Sequence, residues 1–209
     1  MNMPAYVYGF DVHDYHTETA DTAITENIPG QDGKRLALLA MEYLAAATAH
    51  LASFQYAKDA SGHTGSSRNT ADGVVLSGQK DILCAVAPLS PAGAAAAASD
   101  VIAYQLTDGT WEFNTVASLS TKTITLTNNI TGVDAGGGGT AIADGGKVLI
   151  MGIVGDGAVL NISLTASEVT RVEAPHIVHP YVGEPFFLTI NNATNAGFLE
   201  SLVMGYVDK

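Results

Sequence analysis

The densest run of side chains able to do chemistry is DVHDYHTE, which places Asp11, His13, Asp14, His16 and Glu18 within eight residues. In extended chain Asp11 and His13 fall on one face and Asp14, His16 and Glu18 on the other, so up to three oxygen and nitrogen donors can converge. The spacing matches no recurrent metal motif, and two readings stand side by side: a small metal site or a solvated acidic arm. A second pair, His176 and His179 in APHIVHPYVGEP, is flanked by Pro175, Pro180 and Pro185. Those prolines predict a rigid loop rather than the helix on which paired zinc histidines usually sit, so packing or an inter-subunit contact is the expected use. Nucleophilic catalysis lacks its context, because no Ser occupies a G-x-S-x-G elbow and Cys84 lies in the apolar run ILCAVA. A thiol buried there acts as a small hydrophobe. Asp72, Asp108, Asp144 and Asp156 each precede Gly, a turn position that explains them without catalysis. Trp111, Phe113 and Tyr104 offer either a sugar-stacking platform or a core or interface patch, with Trp111 and Phe113 on one strand face. The expectation is no catalytic residue, no cofactor and no metal.

The elements that must position these residues are read from composition first. The chain has 209 residues, 7 Pro, 47% hydrophobic and 14% charged residues, enough apolar content for real cores. Its 31 Ala, 22 Gly and 20 Thr favour close-packed strands and turns over clefts. Nine Lys and Arg against 21 Asp and Glu give a formal charge of -12, the wrong sign for phosphate backbones or anionic lipid, so neither nucleic acid nor membrane is an expected partner. One cysteine cannot form an internal disulfide, the first residues lack the basic and apolar regions of a secretory signal, and no uncharged apolar stretch is long enough for a membrane helix.

Residues 1–33 carry six acids and no Lys or Arg, which predicts an extended acidic N-terminal arm. From Lys34 to Lys58 the chain has neither Gly nor Pro and is dense in Ala and Leu, predicting one long Ala-rich α-helix near Leu36 to Tyr56. Its only charge between Arg35 and Lys58 is Glu42, so the helix is expected to bury itself in its own domain or against other copies, with Ala46, Ala47 and Leu51 as oligomer contacts. After Gly73 the pattern changes to ten short β-type runs: VVLS, DILCAVA, DVIAYQLT, TWEFNTVAS, KTITLTN, KVLIMGIV, AVLNISLT, EVTRVE, PFFLTIN and FLESLVMGYV. Asp-Gly pairs punctuate several of them, a strong hairpin signal. The fold class expected is mainly β, with β-sandwich or barrel units and the one helix. Four stretches follow: the arm at 1–33; helix and first strands of a main β unit at 34–99; a small β-barrel-like module at 100–154; and strands completing the main unit at 155–209. SPAGAAAAASD is expected to be a linker into the module, and GVDAGGGGT a flexible loop rather than a phosphate cradle.

The segment DVIAYQLTDGTWEFNTVASLSTKTITLTNNI, followed by GGKVLIMGIV, resembles the small β-barrel modules of tailed-bacteriophage structural proteins, in which a DGTW hairpin precedes a TVxSLxxxTITLT strand pair. The ending VGEPFFLTINNATNAGFLESLVMGYVDK is similar to the terminal strands of phage virion proteins. The resemblance implies a non-enzymatic virion structural protein of the capsid decoration (cement) type. Such a protein is assembled in the bacterial host cytoplasm, sits on the outer capsid surface, binds the major capsid protein and forms a homotrimer. Tyr6, Tyr8, Phe10, Asp11 and Asp14 of the arm are the expected partner-binding residues. A phage neck, tail or baseplate component, or a carbohydrate- or receptor-binding β module, is the alternative.

Overall fold

The computed structural model describes residues 9–13, 17–19, 24–44, 50–58, 65–132, 139–152, 160–164, 169–191 and 197–208. Among these the fold is all strand, without a helix. The chain divides into two units, Met1–Phe54 with Val159–Lys209, and Gln55–Ala158 between them in sequence.

The first unit opens with β1 (Gly9–His13), β2 (Thr17–Thr19), β3 (Ile24–Ile28), β4 (Lys34–Leu44) and β5 (His50–Gln55). The second contains β6 (Gly65–Ser66), β7 (Arg68–Thr70), β8 (Val75–Leu76), β9 (Asp81–Leu83), β10 (Ala87–Pro88), β11 (Val101–Gln105), β12 (Trp111–Ser120), β13 (Thr123–Leu126), β14 (Thr140–Ile142) and β15 (Lys147–Gly152). The first unit then resumes with β16 (Leu160–Leu164), β17 (Val169–Val178), β18 (Phe186–Asn191) and β19 (Gly197–Asp208). All ten segments read as strands after Gly73 contain one.

In the first unit an antiparallel sheet runs β1-β19-β4-β17, with β2 also on β19, and a second runs β16-β5-β18-β3. The acidic N-terminal stretch therefore contributes three paired strands: β1 and β2 lie against β19, and β3 lies against β18. Where the sequence predicts a helix, the described residues form β4 and β5; residues 45–49 lie outside them. The difference has a physical cause. Leu36, Ala37 and Leu38 are buried in succession, so both faces of β4 are covered, and a strand covered on both faces has the same unbroken apolar run as a buried helix. Flanking ladders to β19 and β17 override the helix propensity of Ala and Leu. Glu42, the single charge in that run, lies opposite Arg171 in the ladder, and their side chains pair at 3.0 Å. Pro175 sits where the β17 register shifts between Glu173 and Ile177, a bulge that tolerates a residue without an N–H.

In the second unit a six-stranded sheet is ordered β7-β15-β11-β12-β13-β9, and it curls until its two ends meet. The seam is an antiparallel bridge between Ala71 and Cys84, made by Asp72 N–H to the Leu83 carbonyl (2.8 Å) and Ala85 N–H to the Thr70 carbonyl (2.9 Å). Residues facing each other between such bonds have close Cα atoms, so the small, buried Ala71 and Cys84 suit the position. Strand alternation sends Ile82, Ile102, Tyr104, Val116, Ile124, Leu126, Val148 and Ile150 into one core. The β11–β12 hairpin turns through Thr107, Asp108 and Gly109, with Gly109 at φ 87° and its N–H on the Leu106 carbonyl at 2.9 Å. This is a three-residue loop in which Gly supplies the left-handed position. SPAGAAAAASD is no linker between the units. It folds within the second one, with Leu89 bridged to Ala95 and Ala96 buried.

Burial pushes the Cys84 thiol from its ordinary 9.0 up to about 12, and the Tyr43 phenol from 10.0 to about 12. Both raised values favour the protonated fold, so this contribution is complete below the unfolded-state values and is lost as pH climbs through the window toward 12. Denaturant titrations at stepped alkaline pH are expected to show falling stability across that window. Cys84→Ala should flatten the slope in the second unit and Tyr43→Phe in the first.

Candidate functional site

Among the described residues, two places hold polar side chains in tight hydrogen-bonded sets. In the second unit the hairpin register sets Tyr104 opposite Glu112 on the core-facing side of β11 and β12, with Asn114 the next inward residue. Tyr104 Oη donates to Glu112 Oε1 at 2.8 Å. The same carboxylate accepts the Thr131 N–H (3.1 Å), the Thr131 hydroxyl (3.0 Å) and the Gly132 N–H (3.1 Å). Asn114 Nδ2 donates to the Asn128 carbonyl at 3.0 Å, and its Oδ1 accepts the Thr115 and Asn128 N–H groups. Burial pushes the Tyr104 phenol up; the Asn114 amide opposes this and the Glu112 carboxylate adds to it. Chemically the set is a fastening: Glu112 pins residues 131 and 132, where the glycine-rich stretch begins, and Asn114 pins the turn after β13.

In the first unit His179 is fully buried in the loop between β17 and β18. Its Nδ1 accepts the Tyr181 N–H at 3.0 Å, which leaves Nε2 as the protonated nitrogen and donor to the Pro185 carbonyl at 3.2 Å. The ring meets Phe186 edge-on with centroids 4.7 Å apart, and its backbone N–H donates to the Leu36 carbonyl at 2.7 Å. Close by, the turn before β4 approaches the same loop so tightly that a Cβ on Gly30 would lie 2.1 Å from the Gly183 carbonyl oxygen. A histidine held this way orders a loop through both ring nitrogens.

Of the residues singled out in the sequence, Phe10 and Asp11 lie in β1 opposite Gly205 and Met204, His13 lies opposite Leu202, and Glu18 lies in β2 opposite Phe198. Tyr6, Tyr8, Asp14, His16, Ala46 and Ala47 fall outside the described residues; Leu51 is in β5 opposite Ser163, and His176 is in the β17 bulge. No group of three metal-ligating side chains occurs among the described residues. The aromatic trio separates. Tyr104 is inside the core, whereas Trp111 and Phe113 are half-buried on the opposite face of β12, so a single stacking platform of all three does not form. Glu112 and Asn114 were not singled out in the sequence. The signal available was the Asp108–Gly109 turn, which sets the register that puts position 112 against Tyr104. Asp108 itself stabilises that turn: its carboxylate accepts the Thr110 hydroxyl (2.6 Å) and N–H (2.9 Å), and these bonds hold its pKa below the ordinary value.

Val74, Leu76, Leu83 and Val86 are exposed within one stretch of chain, while Val75 and Ile82 between them point into the core. Comparison with protein-family models, with curated proteins and with solved structures finds no match.

Glu112→Ala is expected to cost about 2 kcal/mol, because it leaves two backbone N–H groups and the Tyr104 hydroxyl without their acceptor. His179→Ala should cost about 3 kcal/mol, combining lost packing against Phe186 with an unpaired Tyr181 N–H and Pro185 carbonyl. Urea denaturation monitored by circular dichroism checks both. Equal stability of Glu112→Ala and the parent chain would reject the fastening.

Proposed function

We propose that the chain is a non-enzymatic structural protein of a tailed-phage virion that decorates and stabilises the capsid from its outer surface by binding the major capsid protein. The observation that carries this reading is how the clustered polar side chains are used. Glu112, Asn114 and His179 hold loops through hydrogen bonds to backbone groups, the work of a rigid adaptor. Two further features support it: strands throughout the described residues, and an N-terminal stretch with acids alone, suited to a basic strip on a partner. The β1 and β2 segment, with Phe10 and Asp11, is the proposed partner-facing edge, and the protein acts as a homo-oligomer so that weak contacts add.

The test is co-sedimentation of the full chain with purified phage heads that lack their own decoration protein. Deleting residues 1–33 would remove three strands of the first unit, so charge neutralisation is the cleaner variant. The full chain is expected to bind, and Asp11→Asn with Asp14→Asn to bind about tenfold more weakly, with a shallower salt dependence. No binding by the full chain rejects the capsid reading. Binding to a glycan array in its place would favour a carbohydrate-binding module, for which half-buried Trp111 and Phe113 are the available face.

A further inference from the structure

A neutral imidazole can accept a hydrogen bond at one ring nitrogen, and an imidazolium at neither. His179 uses that difference in a fully buried position: Nδ1 accepts the Tyr181 N–H at 3.0 Å, and Nε2 donates to the Pro185 carbonyl at 3.2 Å. Pro180, between His179 and Tyr181, has no N–H, so the Tyr181 amide is the first backbone donor after the ring. The same loop is fastened to the start of β4 by two backbone bonds, His179 N–H to the Leu36 carbonyl and Gly183 N–H to the Lys34 carbonyl, both 2.7 Å. Gly183 makes its bond at φ 75°, a left-handed conformation that suits glycine. Ring and backbone of His179 therefore act on one short loop at once.

A proton arriving at Nδ1 leaves Nε2 and its Pro185 bond as they are, but it sets two N–H groups against each other where an acceptor faced the Tyr181 donor. It also places a positive charge on a ring without exposure. Moving the loop away from β4 relieves both costs, because it brings the ring and the Tyr181 amide to water. The titratable residues on the surrounding elements and their neighbours are Tyr181 and Glu184 in the loop itself, His176 in β17, Asp32 in the turn before β4, Lys34 and Arg35 beside Leu36, Glu26 in β3 and Asp208 opposite Lys34 on β19; β18 brings Phe186 and Phe187. Those charges set the pH at which the proton arrives, whereas its effect at Nδ1 is independent of them. We propose that His179 is an acid-released latch: protonation of Nδ1 frees residues 179–185 from the start of β4, and loss of that proton fastens them again. The neutral ring is the fastened form, so fastening is complete at alkaline pH and is lost as pH falls through the imidazole range. The argument is independent of the capsid reading.

Nuclear magnetic resonance of the full chain, stepped from about pH 8 to about pH 5, reads the ring and the loop together. The nitrogen shifts of the His179 ring report its protons, and amide hydrogen exchange, corrected for the intrinsic effect of pH on exchange, reports the loop. A neutral ring carrying its proton on Nε2 is expected at the alkaline end. Protonation of Nδ1 should then coincide with a loss of protection of about tenfold or more at the Tyr181 and Gly183 amides, while the Ile150 amide of the second unit keeps its protection. His179→Gln, whose side chain can accept from Tyr181 and donate to Pro185 without titrating, should keep both loop amides protected over the same range. The latch is overturned by a ring protonated on both nitrogens at the alkaline end, by a ring that stays neutral until the whole chain unfolds, or by ring protonation that leaves Gly183 protected. A folded His179→Gln chain that loses protection on acidification as the parent does overturns it too, assigning the release to other acids. Should that variant fail to fold, the parent's ring and amide profiles decide the matter alone.

Discussion

A sheet that curls on itself holds only if its first and last strands find hydrogen bonds, and in the second unit two backbone bonds across Ala71 and Cys84 do this. Everything else in that unit is arranged by the closure. It creates an inside, so that alternate residues of β9, β11, β12, β13 and β15 share one core, and it requires small side chains where the backbones come closest. Cys84 is explained by that requirement and by its burial, which keeps the thiol protonated and unreactive at neutral pH.

The polar interior follows from the same closure. A curled sheet is open at its ends, and side chains near an end are neither wholly dry nor wholly solvated. Glu112 occupies this intermediate setting, between buried Tyr104 and exposed Thr131, where a carboxylate can keep several donors around it. The first unit solves a comparable problem with His179, whose two ring nitrogens bind loop backbone that no ladder reaches. In both cases a residue type often associated with catalysis is used to hold loop backbone in place.

Ten of the twelve strands after Gly73 among the described residues were legible because alternation and Asp-Gly turns are local signals, whereas the two- and three-residue β10 and β14 are too short to show a pattern. The hairpin at Asp108 shows the limit of such signals: the turn was in the right place, but its three-residue form depended on the register of the flanking strands. The expected helix shows another limit. Lys34–Leu44 has the composition of a helix and the burial of a central strand, and its partners β17 and β19 lie more than a hundred residues away in sequence. The seam between Ala71 and Cys84, and the fastening role of Glu112, depend on pairings rather than composition. Once a hairpin register is known, however, the position facing Tyr104 follows by counting.

The order of strands also sets an order of assembly. The second unit is encoded in one continuous stretch, so all of its strands are made before β16, β17, β18 and β19 of the first unit. The first unit has to wait. β1, β2 and β4 all pair with β19, and until it is made the edges of β1 and β2 wait for it and β4 has only β17 beside it. A nascent chain at that stage carries a finished domain behind unpaired acidic strands, and the acids themselves discourage neighbouring nascent chains from pairing in place of β19.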